Sequence, residues 1–336
     1  MKVASLFAGC GGLDLGLIKA GHEIVFSHDI DKDCVKTYKE NIGNHIIQGD
    51  IYELKGSKIP DADLLTGGFP CQGFSIANIY REEKDKRNEL YVELVRIIRE
   101  KKPTFFLAEN VPGIMNLAGG KIARIIEKEF SEIGTDEGYP GYEITRHTLN
   151  AVDYGVPQFR KRVIWVGISR KVRFDKRQLF FSNFPPDPTH SNDSNDDLID
   201  YRTMKDAIYD LPIEYNGDIP NHDGTKHKVK INNYIGNRAL DWDRPSPTIV
   251  GRGGGTGGPV ISVHPSQQRR FSVRETARLQ SFPDDFIFHG SISSQYRQIG
   301  NAVAVHFAYH LGKVFKDFED GKLKEKFGSQ ISIGYN

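Results

Sequence analysis

Residues 3–12 have the sequence Val3-Ala4-Ser5-Leu6-Phe7-Ala8-Gly9-Cys10-Gly11-Gly12. The apolar run Val3–Phe7 predicts a short β-strand, and the glycines after it predict a tight turn. Leu13–Ala20 then has the pattern of a helix, which Gly21 ends. A strand, a glycine turn and a helix in this order are typical of the ligand-binding edge of an α/β sheet. The spacing is not the dinucleotide pattern G-x-G-x-x-G, and a tight turn without a ligand explains it equally well.

Strand-like and helix-like segments continue to alternate through the first half of the chain. Apolar runs predict further strands at Glu23–Ser27, His45–Ile47, Asp63–Thr66, Thr104–Ala108, Tyr142–Leu149 and Val163–Ile168. Helices are predicted in the first half at Asp31–Asn41, Glu89–Lys101 and Lys121–Ile133. Further helices are predicted in the second half at Met204–Leu211, Val273–Gln280 and Ala302–Phe318. The alternation predicts an α/β fold with a doubly wound, parallel sheet that is covered on both faces.

Composition limits the classes of function. The 336 residues carry a formal net charge of +1, so a nucleic-acid surface requires local clustering of Lys and Arg. The three cysteines, Cys10, Cys34 and Cys71, form no C-x-x-C pair and have no metal-ligand spacing. That pattern favours a reduced cytoplasmic protein without a structural metal. We expect neither a signal peptide nor a membrane span, because the apolar runs are too short.

Two further predicted strands are followed by residues whose side chains can take part in a reaction. Pro70-Cys71-Gln72 follows the strand Asp63–Thr66, and Glu109-Asn110-Val111 follows Thr104–Ala108. A lone cysteine after a strand is usually a small buried hydrophobe, but a thiol whose pKa is lowered by a nearby arginine is a nucleophile. Glu109 is either a surface carboxylate or an acid that hydrogen-bonds a ring nitrogen.

Charged residues lie close to other strand ends. An acidic side chain at Asp29, after the second strand, can accept hydrogen bonds from ribose hydroxyls, and Asp50 follows the third strand. Either aspartate is alternatively a solvated loop residue or a helix N-cap, and capping alone explains Asp29, which precedes a helix. Arg160 and Arg162 alternate on an extended segment and share a face, where they can bind a carbonyl oxygen, a carboxylate or a phosphate. A solvated basic edge is the commoner explanation of such a run.

Taken together, these segments resemble the cytosine-C5 DNA methyltransferases of the bacterial restriction–modification type. Six segments occur in that family's order: Phe7-Ala8-Gly9-Cys10-Gly11-Gly12, Pro70-Cys71-Gln72-Gly73-Phe74-Ser75, Glu109-Asn110-Val111, Gln158-Phe159-Arg160-Lys161-Arg162, Arg274-Glu275-Thr276-Ala277-Arg278-Leu279-Gln280-Ser281-Phe282-Pro283 and Gly300-Asn301-Ala302-Val303. The resemblance covers nearly the whole chain apart from the polar, glycine-rich region between about Phe184 and Arg270.

The resemblance implies a fold and a division into domains. The expected fold is α/β, a doubly wound mixed, mostly parallel sheet of the Rossmann-like, S-adenosylmethionine-dependent methyltransferase type, with a smaller loop-rich target-recognition domain. Residues 1–184 and 285–336 would form the catalytic and cofactor-binding domain. Residues 185–284 would form the target-recognition domain and hinge.

A covalent mechanism is also implied. The Cys71 thiolate would add to C6 of a cytosine that has left the duplex, so that C5 attacks the methyl group of S-adenosylmethionine. Loss of the C5 proton and elimination of the cysteine would leave 5-methylcytosine and S-adenosylhomocysteine. Glu109 would contact N3 and the amino group of the base. Arg160 and Arg162 would act near the base carbonyl and this glutamate, with Arg160 the more direct of the two.

The family's ligand contacts carry over to matching positions. Cofactor contacts are expected at Phe7, Gly9, Cys10, Gly11, Asp29, Ile30, Asp50, Ile51, Pro70, Leu90, Asn301 and Ala302, and no metal is expected. Ile30 stands where members often have an aromatic residue, and Cys10 should offer only its backbone. DNA contacts are expected at Gln72, Ser75, Thr248 and Arg252.

Double-stranded DNA is the expected partner of a monomeric protein that does not associate with membranes. A cognate restriction endonuclease would act separately, and the location would be the cytoplasm of a bacterium or archaeon, in association with the nucleoid. Three alternatives stay open: an RNA cytosine methyltransferase acting on transfer RNA, a non-catalytic DNA-binding regulator and a nicotinamide dehydrogenase. The first usually carries a Cys-Phe-Thr tripeptide, which the region from Ile114 onward lacks.

Overall fold

A computed structural model describes residues 1–70, 90–194, 197–226, 228–232, 236–251 and 261–326. Within these residues a sheet of seven strands forms the centre of the molecule. The strands are β1 (Lys2–Leu6), β2 (Glu23–Asp29), β3 (Ile46–Gln48), β4 (Leu64–Gly67), β5 (Phe105–Asn110), β6 (Tyr142–Asn150) and β7 (Lys161–Ser169). Their order is β3-β2-β1-β4-β5-β7-β6.

The sheet is mixed and mostly parallel. The strands from β3 to β5 pair in parallel, whereas β7 runs antiparallel to both β5 and β6. The strand order reverses direction at β1, and a ligand crevice lies at such a switch point in doubly wound sheets, beyond the carboxyl ends of the strands. This architecture confirms the predicted fold class.

Helices cover the two faces of the sheet. The described helices are α1 (Gly12–Lys19), α2 (Lys32–Asn41), α3 (Leu90–Lys101), α4 (Lys121–Glu132), α5 (Phe174–Asn183), α6 (Met204–Ile208), α7 (Val273–Leu279), α8 (Ile292–Asn301) and α9 (Val305–Glu319). Phe106 packs with α3 and α4 on one face, while Phe105 packs with α1, α5 and α9 on the other. Neighbouring residues of a strand point to opposite faces, so β5 supplies both cores. Among the described residues, no helix combines the length and the apolar character that crossing a membrane requires.

A third apolar cluster lies away from the sheet, between α6, α7 and α8. It joins Ile208 and Leu279 with Ile299 and Val305. These residues come from both sides of the boundary expected at residues 284 and 285, so the division into two domains stays a prediction.

Candidate active site

A cavity of about 1120 Å³ opens beyond the carboxyl ends of the parallel strands. One wall consists of the turn after β1 and the residues that follow β2, β3, β4 and β5. The opposite wall consists of residues 248–251 and of the end of α8 with the residues that follow it, up to Val303. The cavity is large enough for a ligand of cofactor size.

The turn after β1 depends on its glycines. Gly9 and Gly11 have φ angles of +58° and +92°, in the left-handed region that favours glycine. A Cβ atom at Gly11 would lie 2.3 Å from Cδ1 of Ile42, and one at Gly12 would lie 2.4 Å from the carbonyl oxygen of Val303. The turn is therefore packed tightly against α2 and against the opposite wall of the cavity.

Asp29 holds this turn in place from the end of β2. One carboxylate oxygen accepts a hydrogen bond from the backbone N–H of Gly9 at 2.7 Å, and the other accepts from Asp31 at 2.8 Å. Burial raises the pKa of the Asp29 carboxyl. The N-cap of α2 is Asp31, whose side chain accepts from Asp33 and Cys34. Helix capping therefore does not explain Asp29, whereas Asp50 does cap the short helix that follows it, by accepting from Tyr52 at 3.1 Å.

Most of the expected cofactor residues line the cavity. They are Phe7, Gly9, Asp29, Ile30, Asp50, Ile51, Pro70, Leu90, Asn301 and Ala302. Gly11 and Cys10 of the turn are not among the described lining residues. The Cys10 thiol is buried 3.6 Å from the carbonyl oxygen of Gln298, and burial raises its pKa to about 12. Such a thiol is a packing group without nucleophilic character at neutral pH.

An ion pair lies at the other end of the cavity. Glu109, at the end of β5, accepts from Nε of Arg162 on β7 at 2.7 Å, and each side chain is about nine-tenths buried. Burial lowers the pKa of Arg162, and the adjacent carboxylate opposes that shift. The antiparallel pairing of β5 with β7 brings these residues together although 53 positions separate them along the chain (162 − 109).

The same strand end anchors the segment that leads to Cys71. The side-chain amide of Asn110 donates to the carbonyl oxygen of Phe69 at 2.9 Å. A Cβ atom at Gly68 would lie 3.2 Å from the Glu109 carboxylate, so this segment passes directly beside the glutamate. Pro70 lines the cavity, and Cys71 is its neighbour in sequence. Cys71, Gln72, Ser75 and Arg252 all lie outside the described residues.

The two arginines expected to act together have different surroundings. Arg160 is fully buried, and its guanidinium donates to the carbonyl oxygens of Ile249, Gly300 and Ala302, each at 2.8 Å. Among the described residues it does not belong to the lining of the cavity. Arg162 contacts Glu109 and does line the cavity. In this structure Arg162 contacts Glu109, whereas the donors of Arg160 point to peptide carbonyls behind the wall. Which arginine acts near the base carbonyl stays a prediction.

Sequence reasoning missed several residues of the lining. These include His28, Asn150, Phe159, Lys161 and Arg297. Phe159 stands next to Arg160 within the quoted segment Gln158–Arg162, so its position in that motif was the available signal. Thr248 was predicted and lines the cavity, with its hydroxyl donating to the carbonyl oxygen of Phe159 at 2.6 Å. In the described part of the chain, no group of three or more His, Cys, Asp or Glu is arranged to hold a metal ion.

Comparison with known proteins identifies the family. Residues 1–317 match the family described as C-5 cytosine-specific DNA methylase. The chain belongs to this family. It is 36% identical to the Type II methyltransferase M.NgoFVII of Neisseria gonorrhoeae, with 99% of this chain and 92% of the relative covered. It is 38% identical to the Type II methyltransferase M.MthTI of Methanothermobacter thermautotrophicus, with 96% and 99% covered.

Solved structures of methyltransferases share this fold. An E. coli prophage protein described as a DNA modification methyltransferase superposes with a TM-score of 0.72 at 27% identity, covering 95% of this chain and 99% of that one. The Dnmt2 methyltransferase of S. pombe superposes with a TM-score of 0.64 at 20% identity, covering 94% and 98%, a likeness in fold alone.

Proposed function

We propose that this protein is a DNA (cytosine-5-)-methyltransferase that modifies a cytosine flipped out of a short, specific duplex sequence. The observation that carries the proposal is one continuous cavity, with a glycine turn and Asp29 at one end and the Glu109–Arg162 pair at the other. Family membership supports transfer of a methyl group to C5 of cytosine in DNA.

The turn end fits S-adenosylmethionine. The Asp29 carboxylate is suited to ribose hydroxyls, and the backbone of the turn allows a close approach of the ligand. Phe7, Ile51 and Leu90 give the lining apolar surface for a purine ring. When bound, S-adenosylmethionine supplies an electrophilic methyl group.

The other end fits the target base. In the proposed reaction the Cys71 sulfur forms a bond to C6, which makes C5 nucleophilic toward the methyl group that bound S-adenosylmethionine would supply. Once C5 carries that methyl group, loss of its proton breaks the sulfur–C6 bond by elimination and frees the thiolate. The Glu109 carboxyl hydrogen-bonds N3 and the amino group, which favours the addition. Arg162 orients Glu109 and keeps further N–H donors for the base carbonyl. Removal of water from this end strengthens each of these contacts.

The cellular role follows from the relatives. Those compared above are named Type II methyltransferases. We propose that this protein also protects DNA against a separate restriction endonuclease, in the cytoplasm of a bacterial or archaeal cell.

Bisulfite sequencing of a plasmid carried by expressing cells tests the activity and reveals the target sequence. A duplex built on that sequence with 5-fluorocytosine at the modified position should then trap a covalent adduct that survives a denaturing gel. Cys71→Ser should abolish the adduct. Cys34→Ser is the matched control, because Cys34 lines the same cavity, and it should leave the adduct intact. Methyl transfer to RNA but to no DNA, or an adduct that persists in Cys71→Ser, would contradict the proposal.

A further inference from the structure

The buried guanidinium of Arg160 joins the two segments that form one wall of the cavity. Nη1 donates to the carbonyl oxygen of Ile249, and Nη2 donates to those of Gly300 and Ala302. A buried charge needs several good hydrogen bonds to offset its desolvation, and here the acceptors are peptide carbonyls. Arg160 is thus one side chain that binds the main chain of both segments directly, beside Gln158, which accepts from Ile249, and Gln280, which donates to Ile299 and Ala302.

The first of these segments is residues 246–251, and hydrogen bonds hold it at Ser246, Thr248 and Ile249. The backbone N–H of Ile249 donates to Oε1 of Gln158 at 2.8 Å, and the carbonyl oxygen of Ile249 accepts from Arg160. Side chains of residues 158 and 160 therefore bind both the N–H and the C=O of Ile249. The backbone N–H of Phe159 donates to the carbonyl oxygen of Ser246 at 2.9 Å, and Thr248 returns a hydrogen bond to Phe159. Thr248 is the described residue at which the family resemblance predicts a DNA contact, and it lines the cavity.

The second segment, residues 300–302, belongs to the cofactor side. Asn301 and Ala302 line the cavity and are proposed cofactor contacts. Gly300 meets the first segment backbone to backbone, since a Cβ atom there would lie 2.4 Å from the N atom of Gly251. A shift of either segment must therefore move the other or break the bonds to Arg160.

We propose that Arg160 is a positioning residue that couples the binding of cofactor to the binding of DNA. The inference rests on the proposed function, because it takes Asn301 and Ala302 as cofactor contacts and Thr248 as a DNA contact. Ordering of either segment by its ligand orders the other through the shared guanidinium, so each ligand tightens the binding of the other by the same factor. A lysine ammonium lacks the planar fork and cannot reproduce this bridge between separate carbonyls.

The test measures the affinity for S-adenosylhomocysteine by calorimetry, with and without a duplex that carries the mapped target sequence. In the wild-type protein we expect the duplex to tighten binding by about 5- to 150-fold, the usual range of coupling between sites. In Arg160→Lys and Arg160→Met the factor should fall to within about 2-fold of unity, while measurable binding of each ligand alone remains.

Arg274 provides the matched control. It is also fully buried, and it also donates to three carbonyl oxygens, those of Pro220, Pro283 and Phe286, none of which lines the cavity. Arg274→Lys should lower thermal stability as Arg160→Lys does, and should leave the coupling factor unchanged. Equal loss of coupling in both variants would show that reduced stability is the cause and would overturn the inference.

Gly300→Ala tests the same contact without removing a charge, in case the Arg160 variants do not fold. The added methyl group should separate the two segments and reduce the coupling factor, whereas Gly217→Ala, where nothing lies within 4 Å of the added atom, should not. Full coupling in every folded Arg160 and Gly300 variant would overturn the inference and leave the proposed function intact. A wild-type protein that traps no adduct and binds no S-adenosylhomocysteine would overturn both.

Discussion

The two ends of the cavity are built by different means. The turn end is built mainly from the main chain. Gly9 has a left-handed conformation, and the backbone N–H of Gly9 donates to the Asp29 carboxylate, which fixes the turn. At the other end two charged side chains, Glu109 and Arg162, meet across antiparallel strands in a largely buried setting. The first arrangement is suited to holding a ligand and the second to stabilising charge during a reaction, so substitutions should separate affinity from rate.

Glu109→Gln should have the largest effect. The amide keeps the size of the side chain but cannot supply the acidic contact to N3, and we expect kcat to fall by about 10²- to 10⁴-fold. Affinity for S-adenosylhomocysteine should not change. Single-turnover methyl transfer at saturating cofactor measures the first quantity, and calorimetry measures the second. Glu127→Gln, which breaks the Glu127–Arg146 pair away from the cavity, should alter neither. A loss of affinity as large as the loss of rate would contradict the proposed division between the two ends.

Asp29→Ala should have the opposite pattern. It removes a buried carboxylate that accepts two backbone hydrogen bonds and that, in the proposed function, accepts from the ribose hydroxyls of the ligand. Hydrogen bonds to charged groups contribute about 1.5–3 kcal/mol each, so the affinity for S-adenosylhomocysteine should fall by about 10- to 150-fold. The rate at saturating cofactor should stay near that of the wild-type protein. A variant with normal affinity and a reduced kcat would place Asp29 at the wrong end of the cavity.

The same contrast explains what the sequence could predict. The turn end could be predicted from local sequence, because glycines after one strand and an acidic residue after the next indicate a ligand-binding turn without knowledge of how the strands pair. Arg160 and Arg162 are the same residue type two positions apart, and only the pairing of β7 with β5 decides which one reaches Glu109. The sequence therefore could not show that Arg162, and not Arg160, contacts Glu109.

Two helices were missed for a similar reason. In α5 only Phe180 is fully buried, so the segment lacks a broad apolar face that would mark it. α8 has a detectable pattern in Ile292, Tyr296 and Ile299, with Ser291 as its N-cap. Its helical period was hidden by polar neighbours whose burial depends on the third apolar cluster. Gln298, for example, is buried, and its side chain accepts a hydrogen bond from Thr37 of α2.

Gly12→Ala should have a smaller effect on the turn end. The added Cβ would meet the carbonyl oxygen of Val303 at 2.4 Å and the side chains of Ala302 and Phe282 at 3.1 Å. Overpacking of this kind typically lowers the free energy of unfolding by about 1–3 kcal/mol. Chemical denaturation measures the loss, with Gly217→Ala as the control, which should stay within about 0.5 kcal/mol of the wild-type protein. Unchanged stability would show that residues 302–303 move aside, and the tight packing of the turn would lose its support.

The smallest effect is a dependence of cofactor affinity on pH. Burial raises the pKa of Asp29, so as the pH falls this carboxylate takes up a proton before an exposed aspartate would. Protonation removes the acceptors that hold Gly9 and the ligand, and the affinity for S-adenosylhomocysteine should decrease through that pKa.

The effect on folding has the opposite sign. A raised pKa in the folded state means that the contribution of this group to stability is complete below the unfolded pKa and is lost as the pH rises through the folded pKa. Acidification should therefore weaken binding while this group's contribution to the free energy of unfolding increases. Asp29→Asn removes both slopes, and calorimetry and denaturation across the acidic range measure them. If the Asp29→Asn variant kept the wild-type pH dependence of affinity, another group at the turn end would have to titrate. His28 lines the same cavity and would be the first residue to substitute in that case.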